Sequence, residues 1–435
     1  MTERLSPGLG QAHVVIVNRW REHYADYAAY LDHDVNRVTY ISTAVGLGSV
    51  PATATDIALV DATDDLEQVR AALGELASRH GAPDRVVGLK EDDLLVVAAL
   101  REVWDLPGQR PDELVRFRDK LVMCRAIAEA GLPVPAFAPV AHAQDVLDLA
   151  ATAGWPLIVK PRVGSSSAGV VRLDGPDDLA ALPLTGEPML VQAFDADPIY
   201  HVDGVFAGGE MLRWRASRYT NTCLGFRGGS VLGSVEEDDP LVNAAVGAAA
   251  TAFLRALTDQ AIPFHLELFV HRDGDEVSCS FLEVGARVGG AEIPFVWRDL
   301  HGYDLMEAAF RLQLGQDAPV PGPETEPGAI GGWLLVPAPS ARPCLITETT
   351  SMLGRDPGPY AEALLSPGEV LPAADAYYEH VGGRFRFRGR SSTEVETALT
   401  STAAGFRVGG EPVPQDWDPA PGDGVPMTAR SHRIG

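Results

Sequence analysis

Two stretches of the chain combine residue types that could hold a magnesium nucleotide. The first, WPLIVKPRVGSSSAGVVRL (155–173), reads as a strand ending in Lys160, a Gly/Ser loop from Gly164 to Gly169, and a returning strand. Small residues let backbone N–H groups close on an anion, and the hydroxyls of Ser165, Ser166 and Ser167 add donors. An ammonium at the strand end can reach the same phosphates. One such contact at about 4 Å and an effective dielectric near 20 is worth roughly 4 kcal/mol before desolvation. Taken alone, the stretch reads equally well as a hairpin loop with a surface lysine. The second stretch, FHLELFVHRDGDEVSCSFLEVGARVGG (264–290), has two extended runs around Asp273-Gly274, a hairpin turn. Glu267 on one run and Glu283 on the other would repel across the hairpin unless a divalent cation neutralised them. Magnesium takes one or two carboxylates together with phosphate oxygens. Arg287, four residues past Glu283, can lean into the same site. The plain alternative is that both glutamates face solvent.

Lysine usage adds weight to Lys160. Of 35 basic residues only three are lysines: Lys90, Lys120 and Lys160. A chain that writes Arg for its generic surface cations keeps Lys where a compact, rotatable ammonium fits and a planar guanidinium does not. For any one lysine, chance retention is the competing explanation.

The elements around these motifs are those of a multi-unit α/β protein, as 435 residues suggest. HVVIVNRW (13–20), DIALVDAT (56–63) and RVVGL (85–89) are short apolar runs read as buried strands. Between and after them, 64–81 and 91–106 read as amphipathic helices, the first stopping at Gly81. Strands alternating with helices imply a parallel sheet. Neither G-x-G-x-x-G nor G-x-x-x-x-G-K-[ST] occurs, so no dinucleotide fingerprint or P-loop is supported. The helix 119–131 is expected to start on an Asp119 cap and stop at Gly131.

Composition narrows the partners. A net charge of −25 repels phosphate backbones, which argues against nucleic acid. No run of eighteen apolar residues occurs, MTERLSPGLGQ has no signal-peptide pattern, and the four cysteines contain no C-x-x-C pair. The expectation is a reduced, cytoplasmic protein without membrane partners.

In order along the chain come Lys120, V-K-P with its Ser/Gly loop, L-V-Q-A-F (190–194), H-L-E-L (265–268) and L-E-V-G-A-R-V-G-G (282–290). This ordered set resembles the ATP-grasp superfamily, most closely the branch holding biotin carboxylase, D-alanine–D-alanine ligase and the L-amino-acid (dipeptide) ligases. The likeness covers roughly residues 113–320, and GYDLMEAAFRLQLG (302–315) matches the helix that usually closes the unit. It implies an α/β fold, α+β in parts. The parts would be an N-terminal parallel-sheet domain (1–112), a small mobile lid subdomain (113–200), a large subdomain with the metal and catalytic site (201–320), a small β-rich C-terminal domain (321–410) and a flexible tail (411–435).

By the same resemblance, Lys120 and Lys160 hold ATP phosphates, and Ser165, Ser166 and Ser167 sit in the flap that closes on them. Gln192, Ala193 and Phe194 form the linker whose backbone reads the adenine. Ile199 stands at the usual ribose glutamate, so Asp197 or Asp195 would serve. Glu267 and Glu283 would bind Mg2+, with Mn2+ able to substitute, and Arg287 with Lys160 would act catalytically on the developing acyl phosphate. Many members carry an Asn metal ligand where this chain has Gly285, which implies a looser metal or a water in its place. His201, Asp203, Arg215, Gly289, Gly290 and Glu292 are the substrate-side candidates, and Glu292, His265 or His201 the candidate amine bases. For at least two of Arg213, Arg215 and Arg218 a solvated strand face is the plainer reading.

The implied activity joins a small-molecule carboxylate to an amine through an acyl phosphate, with ATP and Mg2+ and a homodimer allowed. The competing readings are a biotin-carboxylase-like enzyme using bicarbonate and a non-catalytic nucleotide sensor. The chain has no M-K-M-like biotinyl site, and it keeps Glu267, Glu283 and Arg287.

Overall fold

The computed structural model describes residues 11–20, 24–182, 186–372, 381–413 and 429–431. Its first unit is the parallel sheet that the apolar runs demand. Strands β1 (His13–Asn18), β2 (Arg37–Ser42), β3 (Asp56–Leu59) and β4 (Arg85–Gly88) lie in the order β3-β2-β1-β4. Every residue of β1 is buried, as expected of a strand covered on both faces. The helix Leu66–His80 starts where the Asp65 carboxylate accepts the N–H groups of Glu67 and Gln68, and ends at Gly81 with φ 87°. Strand β2 is a β-branched and aromatic run absent from the sequence reading. The helix expected from residue 91 begins at Leu94 instead, because Glu91–Asp93 form a 3₁₀ turn.

A second, antiparallel sheet holds β5 (Phe137–Val140), β6 (Leu157–Pro161), β7 (Val171–Leu173) and β8 (Met189–Ala193) in the order β5-β8-β6-β7. The Gly/Ser loop connects β6 to β7. Just before this sheet, the helix Lys120–Glu129 begins on the expected cap, with Asp119 accepting from Leu121 and Val122.

The largest sheet has nine strands in the order β13-β12-β9-β10-β11-β14-β18-β16-β20. Its ranges are β9 (Ile199–Ala207), β10 (Glu210–Tyr219), β11 (Leu232–Glu236), β12 (Ile262–Asp273), β13 (Glu276–Gly285), β14 (Ile330–Pro337), β16 (Ala361–Leu364), β18 (Val381–Gly389) and β20 (Ala429–Ser431). The stretch 321–410, expected as a separate β-rich domain, therefore continues the sheet of the large subdomain through β14, β18 and β16. The cause is visible in β14, whose residues Gly331 to Leu335 are all buried. A Cβ on Gly332 would lie 2.5 Å from Val395 of the helix Ser392–Gly405, so that unforeseen helix packs directly on the strand. Among the described residues of this stretch, only β15 (Cys344–Thr349), β17 (Val370–Leu371) and β19 (Val408–Pro412) form a sheet of their own. Of the expected flexible tail, residues 411–412 end β19 and β20 pairs with β16, while 414–428 and 432–435 lie outside the described residues.

Among the described residues one helix, Pro240–Leu257, is long and apolar enough to cross a membrane. Here Val242, Val246, Phe253 and Leu254 are buried in the same core as Leu266 and Phe281 of β12 and β13. It is a core helix.

The centre of the large sheet also fixes one glycine. A Cβ on Gly204 of β9 would lie 2.1 Å from the Arg213 carbonyl oxygen of β10, where β10 carries a bulge. Gly204→Ala should therefore destabilise the protein by about 1–3 kcal/mol, read as a lowered chemical-denaturation midpoint.

Candidate active site

The small sheet and the β9–β12–β13 end of the large sheet together line a cavity of about 540 Å³, and a second of about 220 Å³ adjoins it. The first takes Ile158, Lys160 and Gln192 from one sheet and Ile199, Tyr219 and Phe269 from the other. The second is walled by Trp20, Lys90 and Glu91 of the N-terminal unit and by His265 and Arg287. Ser165, Ser167, Tyr219, Cys223, Glu267 and Glu283 line both. The two carboxylates thus stand at the seam of the two chambers.

They meet there because of strand register. Glu267 of β12 and Glu283 of β13 are direct cross-strand partners, with a bulge immediately after Glu267. Side chains of a directly opposed pair lie about 4.5–5.5 Å apart at Cβ, close enough to repel. The protein offsets that repulsion. Tyr219 Oη donates to Glu267 Oε1 at 2.9 Å, His265 Nε2 lies 3.5 Å from the same oxygen, and Lys120 Nζ lies 3.2 Å from Glu283 Oε2. Burial pushes the Glu267 carboxyl up, but His265 and Tyr219 outweigh it and hold it below its ordinary range. A pair of hard oxygen donors opening on a nucleotide-sized cavity fits Mg2+.

Both lysines expected at the phosphates line the first chamber. Lys120 is the first residue of its helix, and Nζ also donates to the Gly164 carbonyl at 2.9 Å. Lys160, at the end of β6, is 4% exposed. Burial lowers its pKa, opposed by Glu283 and helped by Lys120. In the loop, Ser166 and Ser167 both sit in the left-handed region at φ 54°. Non-glycine residues there store backbone strain of the order of 1–2 kcal/mol each. Arg227 Nε donates to the Ser166 carbonyl at 2.8 Å and ties the loop to the large subdomain.

The adenine linker differs in detail from expectation. The Ala193 N–H donates to Ala136 O at 2.8 Å and the Phe194 N–H to Pro156 O at 3.2 Å. Those donors are committed to the protein, so in these two residues carbonyls are what remains for a base edge. Gln192 is buried against Cys124, and Arg172 covers the Phe194 ring at 4.3 Å. Asp195, Asp197 and Ile199 line the same cavity, with Asp197 held by His271 Nδ1 at 2.7 Å.

Arg287 lines the second chamber, with Nε and Nη2 both donating to Glu91 Oε2 at 2.8 and 2.6 Å. The other Glu91 oxygen accepts from Arg118 at 2.6 Å. Burial pushes this carboxyl up, yet the two guanidiniums hold it at about 2. Gly285, at the position of the absent Asn, faces His265 across the hairpin. A Cβ there would be in ordinary van der Waals contact with the Arg287 stem at 3.4 Å.

The substrate-side candidates are mostly corrected. His201 and Asp203 are about 1% exposed and line neither chamber. His201 Nδ1 meets Asp203 at 2.5 Å, its Nε2 meets Ser234 at 2.6 Å, and His265 Nδ1 meets Asp203 at 2.8 Å. They buttress His265 from beneath. Arg215 pairs with Glu324, as does Arg213, and neither lines a chamber, whereas Arg218 lines the first and pairs with Glu396. Glu292 is buried, with Arg386 at 3.1 Å, which leaves it no access as a base. Gly289 closes over the Asp203–His265 pair, where a Cβ would lie 2.3 Å from Asp203 Oδ1. Gly290 alone of this group opens on the second chamber. The sequence reading missed Glu91, Tyr219, Trp20 and Lys90, and only Lys90 carried a signal, its rarity.

Burial pushes the His265 imidazole down, but Asp203 outweighs it and raises the pKa to about 9. Because the folded value lies above the ordinary one, its contribution to stability is complete below about pH 6.5 and is lost as pH rises through about 9. Unfolding free energy of the ligand-free protein should fall over that window by up to about 3 kcal/mol. His265→Gln should flatten the fall.

No family model matches the chain. Among curated proteins it is 25% identical over 272 residues to the L-arginine-specific L-amino acid ligase of Bacillus subtilis, covering 60% of this chain and 64% of that one. The match thus spans less than two thirds of the relative. Among solved structures, the L-amino acid ligase from Bacillus licheniformis superposes with a TM-score of 0.71 at 18% identity, over 92% of this chain and 98% of that one. A nucleotide complex of biotin carboxylase from Campylobacter jejuni gives 0.63 at 14% identity, over 92% of each. Those likenesses show that the chain has the fold of these ATP-grasp proteins, and its ordered motifs meet at one seam.

Proposed function

We propose that the protein is an ATP-dependent ligase that joins a small-molecule carboxylate, favoured as an amino acid, to an amine and releases ADP and phosphate. The observation that carries the reading is the seam. A nucleotide-sized cavity and a smaller chamber meet at Glu267 and Glu283, so a γ-phosphate held in one faces an acid held in the other.

In this reading the substrate carboxylate oxygen attacks the γ-phosphorus, and ADP leaves. The substrate amine then attacks the acyl carbon, phosphate leaves, and the amine proton is lost. Phosphoryl transfer of this kind needs positioning and charge neutralisation more than covalent help. Lys120 and Lys160 bind the phosphates, and Glu267 and Glu283 hold Mg2+ or Mn2+. When bound, the metal neutralises phosphate charge and orients the transferred group. Arg287 stabilises the charge developing on the acyl phosphate. The β5–β8 sheet and its Gly/Ser loop act as the lid, which excludes water from an intermediate that would otherwise hydrolyse.

ADP release tests the reading. It should require an acid and an amine together with ATP and Mg2+; release driven by bicarbonate alone would instead establish the carboxylase alternative, and no release under any combination would favour a sensor. Glu283→Ala should lower turnover by at least about 100-fold, because it removes a metal ligand that is one-third exposed and supports no core. Lys160→Arg should weaken ATP binding by about tenfold or more, since a forked guanidinium does not fit the buried ammonium position. Calorimetric titration with ATP checks it.

A further inference from the structure

The second chamber has an aromatic wall. Trp20 packs on Tyr24 with ring centroids 4.9 Å apart, and Tyr24 meets Phe295 at 5.2 Å. Trp333 of β14 lines the same chamber; it is 4% exposed, and its indole N–H is buried without a hydrogen-bond partner among the described residues. A buried donor of this kind calls for an acceptor, which a ligand carboxylate or carbonyl oxygen would supply. Leu232, Val288 and Ile293 add apolar surface.

One of the protein's own cations already occupies a face of that wall: the Lys90 ammonium lies 5.6 Å from the Trp20 ring centroid. Phe295, which packs on Tyr24 outside the chamber lining, carries the guanidinium carbons of Arg298 and Arg386 at 5.0 and 4.7 Å. A basic side chain entering the chamber would find the cation–π position on Trp20 taken and a like charge beside it, while the lining acids Glu91 and Asp92 are already paired with Arg287, Arg118 and Arg19. The guanidiniums that line the chamber, Arg19, Arg287 and Arg384, are already paired with Asp92, Glu91 and Glu292, so a carboxylate side chain would give up its water for cations that have acids of their own. An uncharged ring or branched chain would gain apolar burial and edge or offset contacts with Trp20.

Building on the ligase reading, we infer that this chamber seats the uncharged aromatic or branched aliphatic side chain of an amino-acid substrate against Trp20. Lys90 is then a specificity-determining residue that turns basic side chains away.

The test is calorimetric binding of L-phenylalanine, L-leucine, L-glutamate and L-arginine to the full chain loaded with Mg2+ and a non-hydrolysable ATP analogue. Phenylalanine and leucine should bind at least about tenfold more tightly than arginine and glutamate. Trp20→Ala should weaken phenylalanine binding about tenfold or more. Lys90→Met, which keeps the stem and removes the charge, should narrow the phenylalanine-to-arginine ratio at least about fivefold. Loss of packing alone would weaken all four ligands alike and leave that ratio in place. Arginine or glutamate binding as tightly as phenylalanine, or an unchanged ratio in Lys90→Met, overturns the inference. If the binding pattern holds but no acid–amine pair yields ADP, the ligase reading falls and the chamber's preference stands. If pairs do yield ADP and arginine is preferred, the reverse follows.

Discussion

The arrangement depends on two carboxylates opposed across one hairpin. Glu267 and Glu283 are cross-strand partners on the edge pair of a nine-stranded sheet, at the point where both chambers open. Left alone, the pair would repel and one carboxyl would take up a proton. The fold prevents this by bringing Tyr219 from β10, His265 from β12 and Lys120 from a helix to the same place. The buried His201–Asp203 pair exists to serve that arrangement: Asp203 keeps His265 protonated and aimed. Gly289 must lack a side chain because its backbone closes over Asp203 and His265. A one-residue slip of β13 would send Glu283 to the opposite face and leave these supports with nothing to neutralise.

The same logic governs the cations. With a net charge of −25, the chain cannot attract a polyanion by its overall field, so it must hold local positive charge against that field. It does so with pre-formed pairs. Arg287 is clamped to Glu91, Glu91 to Arg118, and Lys120 to Glu283. Buried cations without counter-charges would be costly to desolvate, whereas paired ones can exchange partners when a phosphate or metal arrives. Lys120 and Arg287 are therefore placed on either side of the seam, each already bonded to an acid.

Much of this was legible in the sequence because it is local. The Asp119 cap, the loop 164–169, the Asp273-Gly274 turn and the alternation that puts Glu267 and Glu283 on facing strands all lie within short windows. What was illegible lies far apart in the chain. Glu91 and Arg287 are separated by 196 residues, and nothing near Glu91 distinguishes it from a helix-capping acid. His201 and Asp203 misled for a related reason. Two residues apart on one strand, they share a face, but that spacing cannot tell a face turned to a cavity from one turned to a buried network. The stretch after 321 was misjudged because its strand periodicity cannot say which sheet it joins.

Gly285 ends β13, and a Cβ there would meet the Arg287 stem in ordinary van der Waals contact at 3.4 Å. Arg287 reaches from this strand end to Glu91, which the N-terminal unit supplies from a 3₁₀ turn. The same turn carries Lys90 at its N-cap, over Trp20. One short segment thus holds both Arg287 in the second chamber and the ammonium on its aromatic wall. All three lysines of the chain consequently line the two chambers, and each stands where a compact charge must fit beside other groups.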